Sequence, residues 1–311
     1  MIKIAFFGAT SQIAGDLIIS MSESGSYDLI LYARDIHKMN EWLAHQSLGG
    51  RYGVFGLGSY GEIDHDVVIN FVGVGDPTKA ALMGDSIFEA TRYYDQLITD
   101  ELKRNPARKY IFISSGAVYG SDFSTPANSQ KQSMVSINAF DSSQYYTVAK
   151  LYAECLHRSQ QALNIIDLRV FNYFSSSNNL DSRFFITDIL RSIKTDTPLI
   201  TSPKDITRDY IHPLDFFHLI DCVIKSSAKN TALDCYSASV VTKYELLALF
   251  SEKYGLKCRY DKNFDAVNAT GHKDNYYSEY KIAAEFGYRP FHTSISGVEL
   301  EACKLLFDQA N

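Results

Sequence analysis

Ile2-Lys-Ile-Ala-Phe-Phe-Gly8-Ala-Thr-Ser-Gln-Ile-Ala-Gly15 opens the chain as an apolar run, a turn of small residues and the start of an amphipathic segment. Ile2–Phe7 has the β-branched and aromatic character of a buried strand, and Ile13–Met21 has the spacing of a helix after it. Glycine between the two permits a tight turn and close backbone approach, while the first helical turn offers unpaired amides. In a dinucleotide-binding sheet this is the place of the pyrophosphate. Gly8, Thr10, Ser11, Gln12 and Ile13 are the residues expected to line it. Ser11 and Ala14 stand where a glycine-rich fingerprint repeats glycine, with Gly15 one residue later, so an ordinary βα turn competes with this reading.

The same alternation continues outward. Strands are expected at Leu29–Ala33, Val67–Val72, Tyr110–Ser114 and Ile165–Val170, and helices at Ser86–Arg104 and Ser143–Ala162. The Gly-rich stretch from Gly49 to Gly61 carries no clear period. Strands alternating with helices predict an α/β fold, a Rossmann-type doubly wound parallel sheet over residues 1–171. Its ligand crevice would lie at the carboxyl ends of the strands, which adds Phe71 and Val72 to the expected cofactor contacts. Residues 172–311 read as a smaller, mixed, substrate-binding part interleaved with the first. Arg183–Ile193, Tyr244–Tyr254, Tyr280–Phe286 and Ser296–Phe307 look helical there, and Leu233–Ser237 looks like a strand.

Composition narrows the classes. The 311 residues, 46% of them hydrophobic, suffice for a sizeable core, and a net charge of −6 argues against a nucleic-acid binder. Five scattered cysteines without Cys-x-x-Cys spacing suggest neither a disulfide framework nor a metal site. The early glycine does not suit a signal peptide, and no apolar run approaches the ~20 residues that span a bilayer. A reducing cytoplasm is the expected location, with no membrane partner.

The second strand ends Leu31-Tyr-Ala-Arg-Asp35. A carboxylate at this tip binds the adenosine ribose and favours NAD. Here Ala33 leaves room, and Arg34 with Lys38 one turn on suits a 2′-phosphate. NADP(H) is therefore the expected cofactor and NAD(H) the alternative. Asp35 is free either to pair Arg34 or to bind a ribose, and a solvated charge cluster explains the same residues.

Two further stretches carry chemistry: Ile113-Ser-Ser-Gly-Ala-Val-Tyr-Gly120 and Tyr146-Thr-Val-Ala-Lys150. A tyrosine and a lysine four apart share a helix face, so an ammonium can lower the phenol pKa from about 10. Such a phenol exchanges a proton with a sugar or alcohol oxygen. Ser115, just beyond a strand, can hold that oxygen. Each residue alone is ordinary; after a dinucleotide loop the three form a catalytic set.

Leu168-Arg-Val-Phe-Asn172, Arg208-Asp-Tyr-Ile-His212 and Phe286-Gly-Tyr-Arg-Pro290 complete the pattern. With them the chain resembles the extended short-chain dehydrogenase/reductase family, in its branch of nucleotide-sugar epimerases, dehydratases and ketoreductases. The resemblance implies Ser115, Tyr146 and Lys150 as catalytic residues, with Lys150 also holding the nicotinamide ribose. It implies Asn172 and Arg208 on the diphosphate of a nucleotide-sugar substrate, unless Arg208 merely pairs Asp209, and Arg183 beside the nucleotide. Dehydrating relatives follow the serine or threonine with an acidic pair, whereas Gly116 and Ala117 follow Ser115. The resemblance thus implies NADPH-dependent reduction of a nucleotide-linked keto-sugar, a 4-keto-6-deoxy sugar of polysaccharide biosynthesis. An epimerase with tightly held NAD(P) is the alternative, followed by reductases of non-sugar carbonyls and an NADP-sensing regulator without turnover. Relatives form homodimers through the helices holding Ser86–Arg104 and Ser143–Ala162; burial within one chain explains the apolar residues there equally well.

Overall fold

Continuous apolar runs become the strands of one seven-stranded parallel sheet, because strands buried on both faces need no polar side. The computed structural model describes residues 1–73, 82–262 and 273–307. The sheet contains β1 (Ile2–Phe7), β2 (Tyr27–Ala33), β3 (Gly53–Gly56), β4 (Val67–Asn70), β5 (Lys109–Ser115), β6 (Ile165–Val170) and the strand Thr231–Asp234. From one edge the order is Thr231–Asp234, β6, β5, β4, β1, β2, β3, with every pairing parallel. The order reverses between β1 and β4, and a crevice opens at their carboxyl ends.

The helices are α1 (Gln12–Ser24), α2 (Ile36–His45), α3 (Ser86–Arg104), α4 (Ser142–Ser159), α5 (Phe185–Lys194), α6 (Pro213–Lys225), α7 (Lys243–Tyr254) and α8 (Ser294–Phe307). Successive strand residues point to opposite faces. Ile4, Phe6, Leu29, Leu31 and Ile69 therefore meet Leu17, Met39 and Phe216 of α1, α2 and α6. Ala5, Phe7, Ile30 and Val68 meet Ile98, Leu102 and Ala153 of α3 and α4. A further core joins Ile189 and Leu190 of α5, Phe250 of α7 and Ala302 of α8.

Several expected bounds shift. The unassigned Gly-rich stretch holds β3, a half-buried edge strand whose two glycines hide its period. The late chain is less regular than its apolar spacing suggests. Tyr280–Phe286 is a 3-10 turn over Ile282–Phe286, ended by Gly287 at φ 87°. The strand expected at Leu233–Ser237 ends at Asp234, whose carboxylate is tied by Tyr119 and Ser278. Beyond residue 171 the chain also returns to the sheet through α6 and Thr231–Asp234. α6 was not expected; it starts at Pro213 with His212 Nδ1 accepting from the Leu214 amide at 3.2 Å, and it buries Phe216, Leu219, Ile220 and Val223 at helical spacing. No helix among the described residues is long and apolar enough to cross a membrane.

Candidate active site

The turn after β1 is built for close approach. Gly8 has φ +86°, and a Cβ there would lie 3.1 Å from both the Val72 amide nitrogen and Val72 Cγ2. The Gly8 and Ala9 amides both donate to the Tyr32 carbonyl at 3.0 Å, pinning the turn to β2. Ser11 caps α1 by accepting from the Ala14 amide at 3.3 Å. Thr10 is exposed and Ile13 is partly buried. Gly15 has a packing reason, since a Cβ would stand 3.0 Å from Trp42 of α2. Gln12, expected as a cofactor contact, reaches the later chain with its side chain. Its Nε2 donates to Ser175 Oγ at 3.0 Å and its Oε1 accepts from Asn178 at 3.2 Å.

At the β2 tip the ambiguity over Asp35 resolves locally. Its carboxylate caps α2, accepting from the Lys38 amide at 2.9 Å. Ala33 is buried, whereas Arg34 and Lys38 are exposed, with no ion pair to either side chain among the described residues. At the β4 end, Phe71 is buried and stacked on Phe6 at 5.6 Å, so its ring is core. The Val72 amide donates to Asn70 Oδ1 at 2.9 Å.

Ser115 ends β5 with its Oγ accepting from the Ala117 amide at 3.1 Å. The same hydroxyl lies near enough to the Tyr146 phenol on α4 to lower its pKa. Gly116 is needed here, because a Cβ would lie 2.5 Å from the Phe171 ring. The Lys150 ammonium donates to the Ile113 carbonyl at 2.8 Å and lies 4.2 Å from the Phe112 ring centre. Burial lowers its pKa to about 8, opposed by Asp95, Glu154 and Asp167. The expected lowering of the phenol by Lys150 does not occur. Burial raises the Tyr146 pKa and Ser115 draws it part of the way back, while the ammonium is turned to a carbonyl.

A third hydroxyl joins them that sequence reasoning missed. Tyr276 interacts with Ser115 and senses Tyr146, its own pKa raised by burial. Its ring packs on Phe123 at 4.8 Å and Phe171 at 5.1 Å. The strand Asn275–Tyr276 pairs with Thr207–Arg208, and this pairing delivers Tyr276 to the site. Arg208 lies 6.0 Å from the Tyr276 ring and donates to the Thr207 carbonyl at 2.9 Å and the Asp274 carbonyl at 3.3 Å. The anticipated pairing of Arg208 with Asp209 is replaced by these bonds; Asp209 Oδ1 accepts from the Ser237 amide at 3.0 Å. Asn172 gives its amide to the Asp209 carbonyl at 3.0 Å, and exposed Arg183 faces Asp188 at 3.8 Å. The fold thus brings together Ser115, Tyr146, Lys150 and, through Tyr276, Arg208. No motif marked Tyr276, and only the pairing of distant strands reveals it. No cluster of three metal-ligating side chains occurs among the described residues.

Residues 7–258 match the profile of the NAD dependent epimerase/dehydratase family. No curated protein matches the chain by sequence. Similar solved structures include dTDP-glucose 4,6-dehydratase from Bacillus anthracis in complex with NAD, 16% identical, covering 100% of this chain and 98% of that one at TM-score 0.77. UDP-glucose 4-epimerase from Bifidobacterium longum, in complex with NAD+ and UDP, is 16% identical over 99% of each chain at TM-score 0.77. UDP-glucose-4-epimerase from Stenotrophomonas maltophila, with bound NAD and formylated UDP-arabinopyranose, is 14% identical over 100% of this chain and 99% of its own at TM-score 0.80.

Proposed function

The chain belongs to the NAD-dependent epimerase/dehydratase family, and from that premise we propose that it reduces a nucleotide-linked keto-sugar with NADPH. C4 is the expected carbonyl and a 4-keto-6-deoxy sugar the simplest substrate. The observation that carries this reading is the β2 tip, where Arg34 and Lys38 are exposed and without an ion pair among the described residues, while Asp35 gives one carboxylate oxygen to the α2 cap. Two cations there beside a carboxylate turned to its helix suit a 2′-phosphate. The residues fit a dinucleotide otherwise: Gly8 leaves a cradle that a Cβ would fill, and α1 starts just after it at Gln12.

The cofactor, when bound, supplies the hydride. Tyr146 gives its proton to the oxygen of the reduced carbonyl, Ser115 orients that oxygen, and Lys150 holds positive charge behind the phenol. Arg208 binds the diphosphate and so places the sugar at remote binding energy rather than at the reacting atoms. Gly116 and Ala117 offer no acid or base after Ser115, which speaks against dehydration of the sugar.

An epimerase is the second reading. The similar folds include UDP-glucose 4-epimerases with NAD, and a serine–tyrosine pair can take a proton from an alcohol as well as return it. Absorbance at 340 nm with purified protein, nucleotide-linked 4-keto sugars and NADPH separates the two. Stoichiometric loss of NADPH is expected. A sugar changed in configuration with no cofactor consumed would move the assignment to an epimerase. In the same assay Arg34→Ala should raise KM for NADPH by roughly 10-fold or more, as loss of a charge-assisted bond does, and leave NADH unaffected.

A further inference from the structure

Four lysines are buried among the described residues, and one of them lacks a polar partner. Lys109 is held by the Ile224 and Ser226 carbonyls at 3.1 and 2.8 Å, Lys150 by Ile113 at 2.8 Å, and Lys243 by Ser202 at 2.7 Å. Lys273 is 4% exposed, yet its Nζ makes no hydrogen bond. The ammonium rests 4.2 Å from the Tyr276 ring centre and 5.1 Å from that of Phe123. Ring faces offset only part of the cost of burying a charge.

Among the described residues the nearby acids are engaged elsewhere. Asp274 pairs Lys204 at 2.6 Å, and Asp234 takes Tyr119, Ser278 and Arg169. Arg208, on the same Tyr276 ring, adds a like charge rather than a counter-charge. Lys131, also against Phe123, spends its amine on the Thr125 carbonyl at 3.1 Å. An unpaired cation beside another cation marks a place where an anion is missing.

Position says which anion. The ring that carries Lys273 on its face presents its hydroxyl to Ser115 and Tyr146. The amine therefore stands against the same side chain that meets Ser115 and Tyr146, with Arg208 on that ring as well. The diphosphate has Arg208 as its own cation. We propose that Lys273 is a specificity residue that binds a carboxylate carried by the sugar, so that the preferred substrate is a nucleotide-linked acidic sugar in place of a 6-deoxy one. This rests on the nucleotide-sugar reading above and narrows it.

The test is calorimetric binding to the cofactor-loaded protein, with free UDP and dTDP, their hexoses and their hexuronates, for wild type, Lys273→Met and Lys273→Arg. Wild type should bind one uronate at least ~10-fold more tightly than the matching hexose, as a charge-assisted bond allows. Lys273→Met should lose roughly 10- to 100-fold on the uronate alone, with hexose and nucleotide within ~3-fold, and Lys273→Arg should keep part of the preference. Met keeps the apolar stem between the rings, so its melting temperature should equal or exceed wild type, which excludes misfolding as the cause. Equal losses on all three ligands would assign the amine to the diphosphate and overturn the proposal, as would no loss. If nucleotides bind without discrimination, only the role of Lys273 fails; if none binds to wild type, the nucleotide-sugar reading fails and this inference with it.

Discussion

Tyr146 and Lys150 stand one turn apart on α4, and in the free protein burial governs each of them more than either governs the other. The phenol keeps its proton because its surroundings disfavour the phenolate, which suits a group that must donate in a reduction. Tyr146→Phe should lower kcat by ~100-fold or more, the usual loss for a general acid, while cofactor binding stays within a few-fold. Lys150 adds a pH signature. Its ammonium is present below its pKa of about 8 and lost above it. kcat/KM for reduction should therefore fall as pH rises through about 8, and Lys150→Arg should remove that limb from the profile. Ser115, Tyr146 and Lys150 were legible because a turn after a strand and a four-residue helical spacing are local signals. Tyr276 and Lys273 were not, since only the pairing of Asn275–Tyr276 with Thr207–Arg208 places them.

Between elements, a buried polar chain links α4 and α3 to the end of β4, beside the Gly8 turn. His157 is fully buried, with Nδ1 2.6 Å from Asp167 and Nε2 2.8 Å from Asp95. Asp95 also accepts from Tyr110 at 2.7 Å, whose hydroxyl accepts from Asn70 at 2.8 Å, and Asn70 holds the Val72 amide. Burial alone would lower the imidazole pKa, but Asp167 and then Asp95 together outweigh it and raise it to about 10. A raised pKa stabilises the fold fully below the unfolded value near 6.5 and loses that contribution as pH rises through the folded value. The difference in unfolding free energy between wild type and His157→Gln, from urea titrations, should thus be largest near pH 6.5 and shrink as pH rises to about 10. A difference that stays constant across that window would contradict it. At this scale the sequence was readable where packing is symmetric: β1, β6 and α3 match their expected bounds. It was unreadable at the edge strand β3, whose glycines hide its period, whereas α6 was not expected although Phe216, Leu219, Ile220 and Val223 keep helical spacing.

Across the whole molecule, the early chain supplies the sheet, the Gly8 turn and the Ser115 and Tyr146 hydroxyls, and the later chain supplies Arg208, Lys273 and Tyr276. A buried cluster joins the two parts beneath the site. Arg169 of β6 binds Glu154 of α4 and the Tyr119 hydroxyl, and Tyr119 and Ser278 both donate to Asp234. Glu154 also accepts from Ser114, next to Ser115, at 2.6 Å. The late segment bearing Tyr276 is thereby fixed to the strand bearing Ser115, so the candidate site is assembled by tertiary contacts rather than by one motif. The central claim is net hydride transfer from NADPH to a sugar carbonyl, and isotope transfer tests it most directly. Protein incubated with NADPH deuterated at the transferring position and a nucleotide-linked keto-sugar should yield a hydroxy sugar one mass unit heavier, with the label on the former carbonyl carbon. An altered sugar without deuterium, formed while NADPH remains intact, would contradict it.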